Sequence, residues 1–322
     1  MKFNSIVYPF LGSRFGGISS ISLPNSVDYP VNDEFINSLG KQPYLSVLVL
    51  GDNKNPTTIT DHSLATLKKH PLQCLIIIGG TISGTGLNEL RKISTLSVLS
   101  LHDLEISGEQ FKTTPAWNKL NNLSLSGCKI TDSGLEKLSS ISNLIFLNLS
   151  NTHIEGDGLR HLSKLNKLIH LSIGGTKIKA DALNHLAGVK SLQSLIIQGK
   201  SINDAHVKQV ANVKQLIVLM LNDSQVTDQG LIPLTRMENL QQLFLTNTQV
   251  TDDGIKNLIQ SQSLMKLELS NTPITDQVKE SLLNIPQLHK VNVSGTKLSA
   301  ATIQSLRDNG IEVMTSQPGI LR

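Results

Sequence analysis

Residues 120–141 read LNNLSLSGCKITDSGLEKLSSI, a short stretch that holds two periodicities. Leu123 and Leu125 alternate with polar residues, which is the two-residue period of a half-buried strand. Leu135 and Leu138 lie three apart, which is the spacing of a helix face, and Thr131-Asp132 just before them is a helix-start signal. Residues 240–259, LQQLFLTNTQVTDDGIKNLI, repeat the arrangement. Leucines at 72, 96, 120, 144, 168, 192, 216, 240, 264 and 288 fix its period at 24 residues without a slip.

Most units share the form L-x-x-L-x-L-x-x-T-x-I-T-D-x-G-L-x-x-L-x-x-L/I/V-x-x. The fourth and sixth positions face inward, and the third, fifth and seventh face outward from the sheet. Thr152, Thr176, Thr248, Thr272 and Thr296 hold the ninth position, where a hydroxyl can bond the backbone of the turn leaving the strand. Two longer units precede this block. Leu45, Leu48 and Leu50 open one of 27 residues, with three extra residues in the Asn53–Pro56 turn, and Ile18, Ile21 and Leu23 open another. Ile311–Met314 supplies a final partial strand.

This pattern resembles the leucine-rich repeat family, in its 24-residue T-D-x-G-L form, which is similar to repeats of bacterial and F-box-associated proteins. The resemblance implies an α/β, right-handed solenoid: a parallel sheet on the concave face, helices on the convex one, and stacking of units that cannot bury their apolar faces alone. Twelve strands at ~4.8 Å give an inner arc of roughly 55 Å. We expect a cap segment at residues 1–17, the repeat domain over 18–314 and a tail at 315–322. Neither flank is expected to supply F-box or ligase activity. The prior that a chain of 322 residues holds several globular domains gives way to the repeat.

Composition excludes several classes. With 39% apolar residues and a formal charge of +4, the chain is not disordered. Cys74 and Cys128 are too few for a disulfide scaffold, and they fall two repeats apart, so they are not expected to pair. The longest aliphatic run is Leu75–Ile78, so no membrane span is expected. Residues 1–10 are broken by Asn, Ser and Pro, so no secretory segment is read there, and a cytoplasmic location in the producing cell is expected.

No catalytic or cofactor motif is present. Gly79–Gly86 lacks the Lys-Ser or Lys-Thr of a phosphate loop and falls in a strand-to-helix turn. His161 and His185 share the eighteenth position of adjacent repeats, but helices ~10 Å apart cannot share one metal, and no third ligand aligns. Six scattered arginines give no basic stripe, so nucleic acid is not the expected partner. In the unit at Leu96, Thr114-Pro115 breaks the outer helix pattern, and Phe111 and Trp117 are read as inward. Lys200 at a ninth position is read as a snorkelling lysine. Seven of the eleven Tyr, Phe and Trp residues lie in the first 44 positions, read as a cap over the open end rather than a docking segment.

The third and fifth positions define the expected exposed concave surface. One apolar zone contains Val47, Val49, Cys74, Ile76, Ile78 and Val98. The other contains Ile196, Val218, Met220 and Phe244 beside the charged rim of Lys266, Glu268 and Lys290, with Phe146 and His170 on nearby strands. Met and Phe are favoured interface anchors and are not explained by strand propensity. The expected function is a non-enzymatic, monomeric interaction module without cofactor or metal, holding a protein partner on this face. The family resemblance implies a bacterial source and, as a context, an effector delivered into a host cell. A regulator of a partner enzyme and a self-associating structural module are the alternatives.

Overall fold

The computed structural model describes residues 20–23, 30–39, 43–111 and 117–315. The segment assigned to the amino-terminal cap and residues 316–322 of the tail, together with Ile18, Thr114 and Pro115, lie outside these residues. The described residues form one parallel sheet of 13 strands, each hydrogen-bonded to the next in chain order. They are β1 (Ser20–Leu23), β2 (Val47–Leu50), β3 (Cys74–Ile78), β4 (Val98–His102), β5 (Asn122–Ser124), β6 (Phe146–Asn148) and β7 (His170–Ser172). β8 (Ser194–Ile196), β9 (Val218–Met220), β10 (Gln242–Phe244), β11 (Lys266–Glu268), β12 (Lys290–Asn292) and β13 (Glu312–Met314) complete it. The outer segments join successive parallel strands, so the chain winds as an open leucine-rich-repeat solenoid.

The register follows the leucine period. Val47 pairs with Cys74, 27 residues on, whereas Gln242 pairs with Lys266, 24 residues on. The three extra early residues are absorbed where Asp52 Oδ1 accepts the Lys54 and Asn55 N–H groups at 2.7 and 2.8 Å. Fourth- and sixth-position residues such as Leu123, Leu125, Leu243 and Leu245 are fully buried in one continuous core. Phe111 and Trp117 join that core with ring centroids 5.5 Å apart, as their repeat positions require.

Two devices turn the chain out of each strand. Asp103, Gly127, Asn151, Gly175, Gly199, Asp223, Asn247, Asn271 and Gly295, at the eighth position, all have φ between 55° and 120°. Only Gly, Asn and Asp enter this left-handed region readily, which is why the position holds no other residue type. At the ninth, the hydroxyls of Thr152, Thr176, Thr248, Thr272 and Thr296 donate to the carbonyl three residues earlier at 2.6–2.7 Å. Each bond ties the threonine side chain to the backbone of the strand it leaves, and at Leu269 and Val293 it adds to an N–H bond from the same threonine. Cys128 fills the same place, its Sγ 3.4 Å from Leu101 O.

The outer layer is built by the Thr-Asp pair, in a way that reaches across repeats. The Thr227 hydroxyl donates to Asp204 Oδ2 at 2.6 Å, and its N–H donates to Asp204 Oδ1 at 2.8 Å. Asp228 takes Thr251 in the same way, and Asp252 takes Thr275. Each Thr also caps its own helix, as Thr227 does by accepting the Gln229 N–H. The recurring spacing to Gly makes room for the carboxylate: a Cβ on Gly254 would sit 2.3 Å from Asp228 Oδ1. Thr, Asp and Gly of the motif therefore receive the previous repeat's carboxylate, bind the next repeat and make room for the bond.

The outer segments begin at recurring positions of the repeat. Helices α1 (Asp33–Ser38), α2 (Asp61–Leu67), α3 (Gly84–Leu90), α4 (Asp132–Leu138) and α5 (Asp204–Val210) follow Asn32, Thr60, Ser83, Thr131 and Asn203. α6 (Asp228–Leu231), α7 (Asp252–Asn257) and α9 (Ala300–Asp308) follow Thr227, Thr251 and Ser299, and α8 (Lys279–Leu283) continues a turn begun at Thr275. Where Gly156 and Lys179 stand at the cap, the outer segments Asp157–Lys164 and Ala180–Gly188 are 3-10 helices. The correspondence with the cap is incomplete: α4 forms after Thr131 without a side-chain cap bond, and the turn capped by Thr275 starts as a 3-10 helix.

Candidate functional site

The sheet face carries three parallel rows, from the third, fifth and seventh positions of each repeat. Along the fifth row Ile196, Met220, Phe244 and Glu268 are direct register partners on successive strands. Along the third row Val218, Gln242, Lys266 and Lys290 are partners in the same order. The structure therefore brings Ile196, Val218, Met220, Phe244, Lys266, Glu268 and Lys290 onto five adjacent strands, β8 to β12. All seven are half-buried, with the apolar side chains still open to solvent.

Charge is fixed around this apolar strip. Lys266 Nζ lies 4.7 Å from the centroid of the Phe244 ring, a cation–π contact between neighbouring strands. Burial pushes the Glu268 carboxyl above its usual pKa, although the Ser270 hydroxyl donates to it at 2.6 Å. Lys290 Nζ pairs with Glu312 Oε1 at 2.7 Å across β12 and β13. On the other side, on β6 and β7, Phe146 and His170 lie with ring centroids 6.3 Å apart, and burial lowers the His170 pKa. Ser172 and Ser194 separate this pair from the apolar strip, so Phe146 and His170 form its outlying edge.

One expectation is corrected. The third and fifth positions are not uniformly exposed: Val49, Cys74 and Ile76 are only 8%, 7% and 5% exposed, and they form a separate apolar cluster with Val47, Ile78 and Val98. Burial raises the Cys74 pKa to about 11. Ser100, Ser124, Ser172 and Asn292 are buried as well, since small side chains sink between larger neighbours on a closely spaced sheet.

Position in the repeat did not reveal the polar pairing between strands. Asn148 Nδ2 donates to Ser124 Oγ at 3.2 Å and Ser150 and Ser172 share a bond of 2.7 Å, while within β4 Ser100 Oγ lies 2.6 Å from His102 Nε2. The signal available in the sequence was the run of Ser and Asn at fifth and seventh positions between β4 and β7. These bonds fill the middle of the sheet and set the apolar strip apart from the cluster on β2 to β4.

Among the described residues no group of His, Cys, Asp or Glu is arranged to hold a metal, and no helix is long and apolar enough to cross a membrane. His161 and His185 lie on the outer segments without a shared ligand geometry. On the outer face, a groove of about 610 Å³ between α6 and α7 is lined by polar side chains such as Asp228, Gln229 and Lys256.

This architecture is the leucine-rich-repeat solenoid fold. A Leucine Rich repeat family model matches residues 118–139. The fold is shared with an internalin (inlF) from Listeria monocytogenes, at TM-score 0.54 and 20% identity over 86% of this chain and 82% of that one. It is shared also with a leucine-rich-repeat protein of Leptospira interrogans, at TM-score 0.50 and 17% identity over 91% and 81% of the two chains. No curated protein matches the chain in sequence.

Proposed function

We propose that this chain is a non-enzymatic interaction module that holds a protein partner on its sheet face, centred on Ile196, Val218, Met220 and Phe244. The carrying observation is the row Ile196–Met220–Phe244, an apolar strip left half-open on adjacent strands and bordered by Lys266 and Glu268. An apolar centre with a charged rim is the anatomy of a protein interface. Strands hold these side chains in place before the partner arrives, which lowers the ordering cost of binding. Lys266, Glu268 and Lys290 would set orientation, and Phe146 and His170 would extend the contact. The partner belongs to a host cell if the chain acts as a delivered effector, a reading that rests on the family resemblance.

Affinity capture from bacterial and eukaryotic lysates tests the reading, with wild type compared with Met220→Glu/Phe244→Glu and with an outer-face control, Gln229→Glu/Gln260→Glu. The expected result is a partner held by wild type and control whose binding to the sheet-face variant is at least ~30-fold weaker, the loss of about 2 kcal/mol typical of a hot spot. Melting curves establish that all three proteins are folded. Equal binding by the sheet-face variant contradicts the proposal.

A further inference from the structure

The flank where each outer segment returns to the next strand is uneven in charge. In three consecutive repeats it is formed by residues 160–167, 184–191 and 208–215, which hold Arg160, Lys164, Lys167, Lys190, Lys208 and Lys214 and no Asp or Glu. These six cations exceed the formal +4 of the whole chain. The equivalent residues of the repeats on either side, 136–143 and 232–239, each hold one cation and one carboxylate, and 280–287 holds Glu280 alone. A helix-end role does not account for the excess, because cations serving helix ends would recur in every repeat. The opposite flank of the same three repeats, 151–158, 175–182 and 199–206, sets three lysines against four carboxylates, with Lys179 paired to Glu155 at 3.3 Å.

All six basic residues are exposed, and among the described residues none of them is ion-paired. Lys167 Nζ donates to Asn143 Oδ1 at 2.7 Å and Lys190 Nζ to the Ala187 carbonyl at 2.8 Å, neutral acceptors that leave both charges in place. Apolar side chains adjoin them. Ile145, Ile169 and Ile217 stand one residue before β6, β7 and β9, and Ile145 is 39% exposed. Backbone bonds run along this lip from the Ile169 N–H to Ile145 O, from the Gln193 N–H to Ile169 O and from the Ile217 N–H to Gln193 O. Lysines and isoleucines are thereby fixed on one edge of the solenoid.

We propose that this flank docks on an anionic phospholipid surface, with Lys167, Lys190 and Lys214 among the headgroups and Ile145 at the boundary below them. Uncompensated lysines attract such a surface. The isoleucines distinguish it from a nucleic acid: a lipid interface accepts apolar side chains, whereas binding to single-stranded nucleic acid uses aromatic stacking, and the three segments hold no Phe, Tyr or Trp. The contact uses a flank of the solenoid, so it leaves the sheet face at Ile196–Phe244 open to a protein partner and does not depend on that reading.

Sedimentation of the full chain with vesicles of phosphatidylcholine, alone or mixed with phosphatidylserine, tests the proposal. Wild type should bind only the mixed vesicles and leave them as added salt screens the charges. Lys167→Gln/Lys190→Gln/Lys214→Gln should bind them at least ~10-fold more weakly, whereas Lys129→Gln/Lys177→Gln/Lys200→Gln, which removes the same charge from the opposite flank, should bind as wild type. Ile145→Ser, with every charge kept, should bind about threefold more weakly. Melting curves establish that the variants are folded. A measurement on wild type alone is acylation of lysines by an N-hydroxysuccinimide ester: the mixed vesicles should protect Lys167, Lys190 and Lys214 and leave Lys129, Lys177 and Lys200 reactive. No binding to the mixed vesicles, equal losses in the two triple variants, an unaffected Ile145→Ser, protection of both flanks or of neither, or tighter binding to duplex DNA than to the vesicles overturns the proposal.

Discussion

The outer layer of the solenoid is held together in two different ways. From α5 to α9, Asp204, Asp228, Asp252 and Asp276 each bind the cap residue of the next repeat, forming an unbroken series of carboxylate bridges. Between residues 155 and 188 the motif fails, with Glu155-Gly156 and Lys179-Ala180 where Thr-Asp is expected. Close packing of small residues replaces the bridge there: a Cβ on Gly156 would come within 2.3 Å of Ala182 Cβ. The region is joined at one end by Asp132, which accepts the N–H groups of Gly156 and Gly158 at 3.0 Å. It is joined at the other by His206, whose Nε2 lies 3.0 Å from Ile178 O. The inner strands keep the same register through both regions, so the sheet face is indifferent to how the outer layer is fastened.

The largest expected difference concerns the glycines. A Cβ at Gly158 would lie 2.5 Å from the Asp132 carbonyl oxygen and 2.8 Å from its Cα, so backbone must move. At Gly254 the obstacle is the Asp228 carboxylate, which can swing aside by giving up its bonds to Thr251. Urea unfolding should show a loss of about 3 kcal/mol or more for Gly158→Ala and about 2 kcal/mol for Gly254→Ala. Equal losses would mean that the two regions are fastened alike.

Removing the bridge itself comes next. Asp228→Ala should cost about 2 kcal/mol, because two hydrogen bonds to a charged acceptor disappear and the Thr251 hydroxyl loses its partner. Asp181→Ala, where the carboxylate reaches only the adjacent Ala182 N–H, should stay within about 0.5 kcal/mol of wild type. Restoring the motif where it is absent gives a smaller, opposite result to the one a consensus rule would expect. Glu155→Thr/Gly156→Asp should lower stability by about 1–2 kcal/mol, since residue 156 has φ +124° and faces Ala182. A gain in melting temperature would show that the bridge alone controls the outer layer.

The smallest effect is on acid stability. Hydrogen bonds from the Ser299 N–H and from the Thr302 and Ser299 hydroxyls hold the Asp276 carboxyl below its ordinary 3.8. A carboxyl depressed on folding contributes stability that is present above pH 3.8 and is lost as pH falls through its folded value. Wild type should therefore be more stable than Asp276→Asn at pH 7, and the gap should narrow as the pH drops below 3.8. A gap independent of pH would separate the bridge from its charge.

The fold was legible because the residues that set it recur at fixed spacing. Leu72 to Leu288 fix the strand period, Thr152 and its equivalents fix the turn, and Thr131-Asp132 marks the helix start. The partner of each Asp was not legible, since a cap motif reads as local while the bond from Asp228 goes to Thr251 in the next repeat. The distinction between α and 3-10 segments was not legible, because both fit the same leucine spacing. The strip from Ile196 to Phe244 was readable from register alone. The burial of Val49, Cys74 and Ile76 was not, because repeat position states which way a side chain points and not how exposed it is.

The central claim is that the sheet face from β8 to β12 is where a partner sits. Hydrogen exchange of the chain with and without its captured partner tests this most directly, resolved to peptides covering each repeat. The account predicts slowed exchange in peptides spanning residues 194–196, 218–220, 242–244 and 266–268, with no change along α6 and α7. Protection confined to the outer segments, or to residues 47–98, would contradict it.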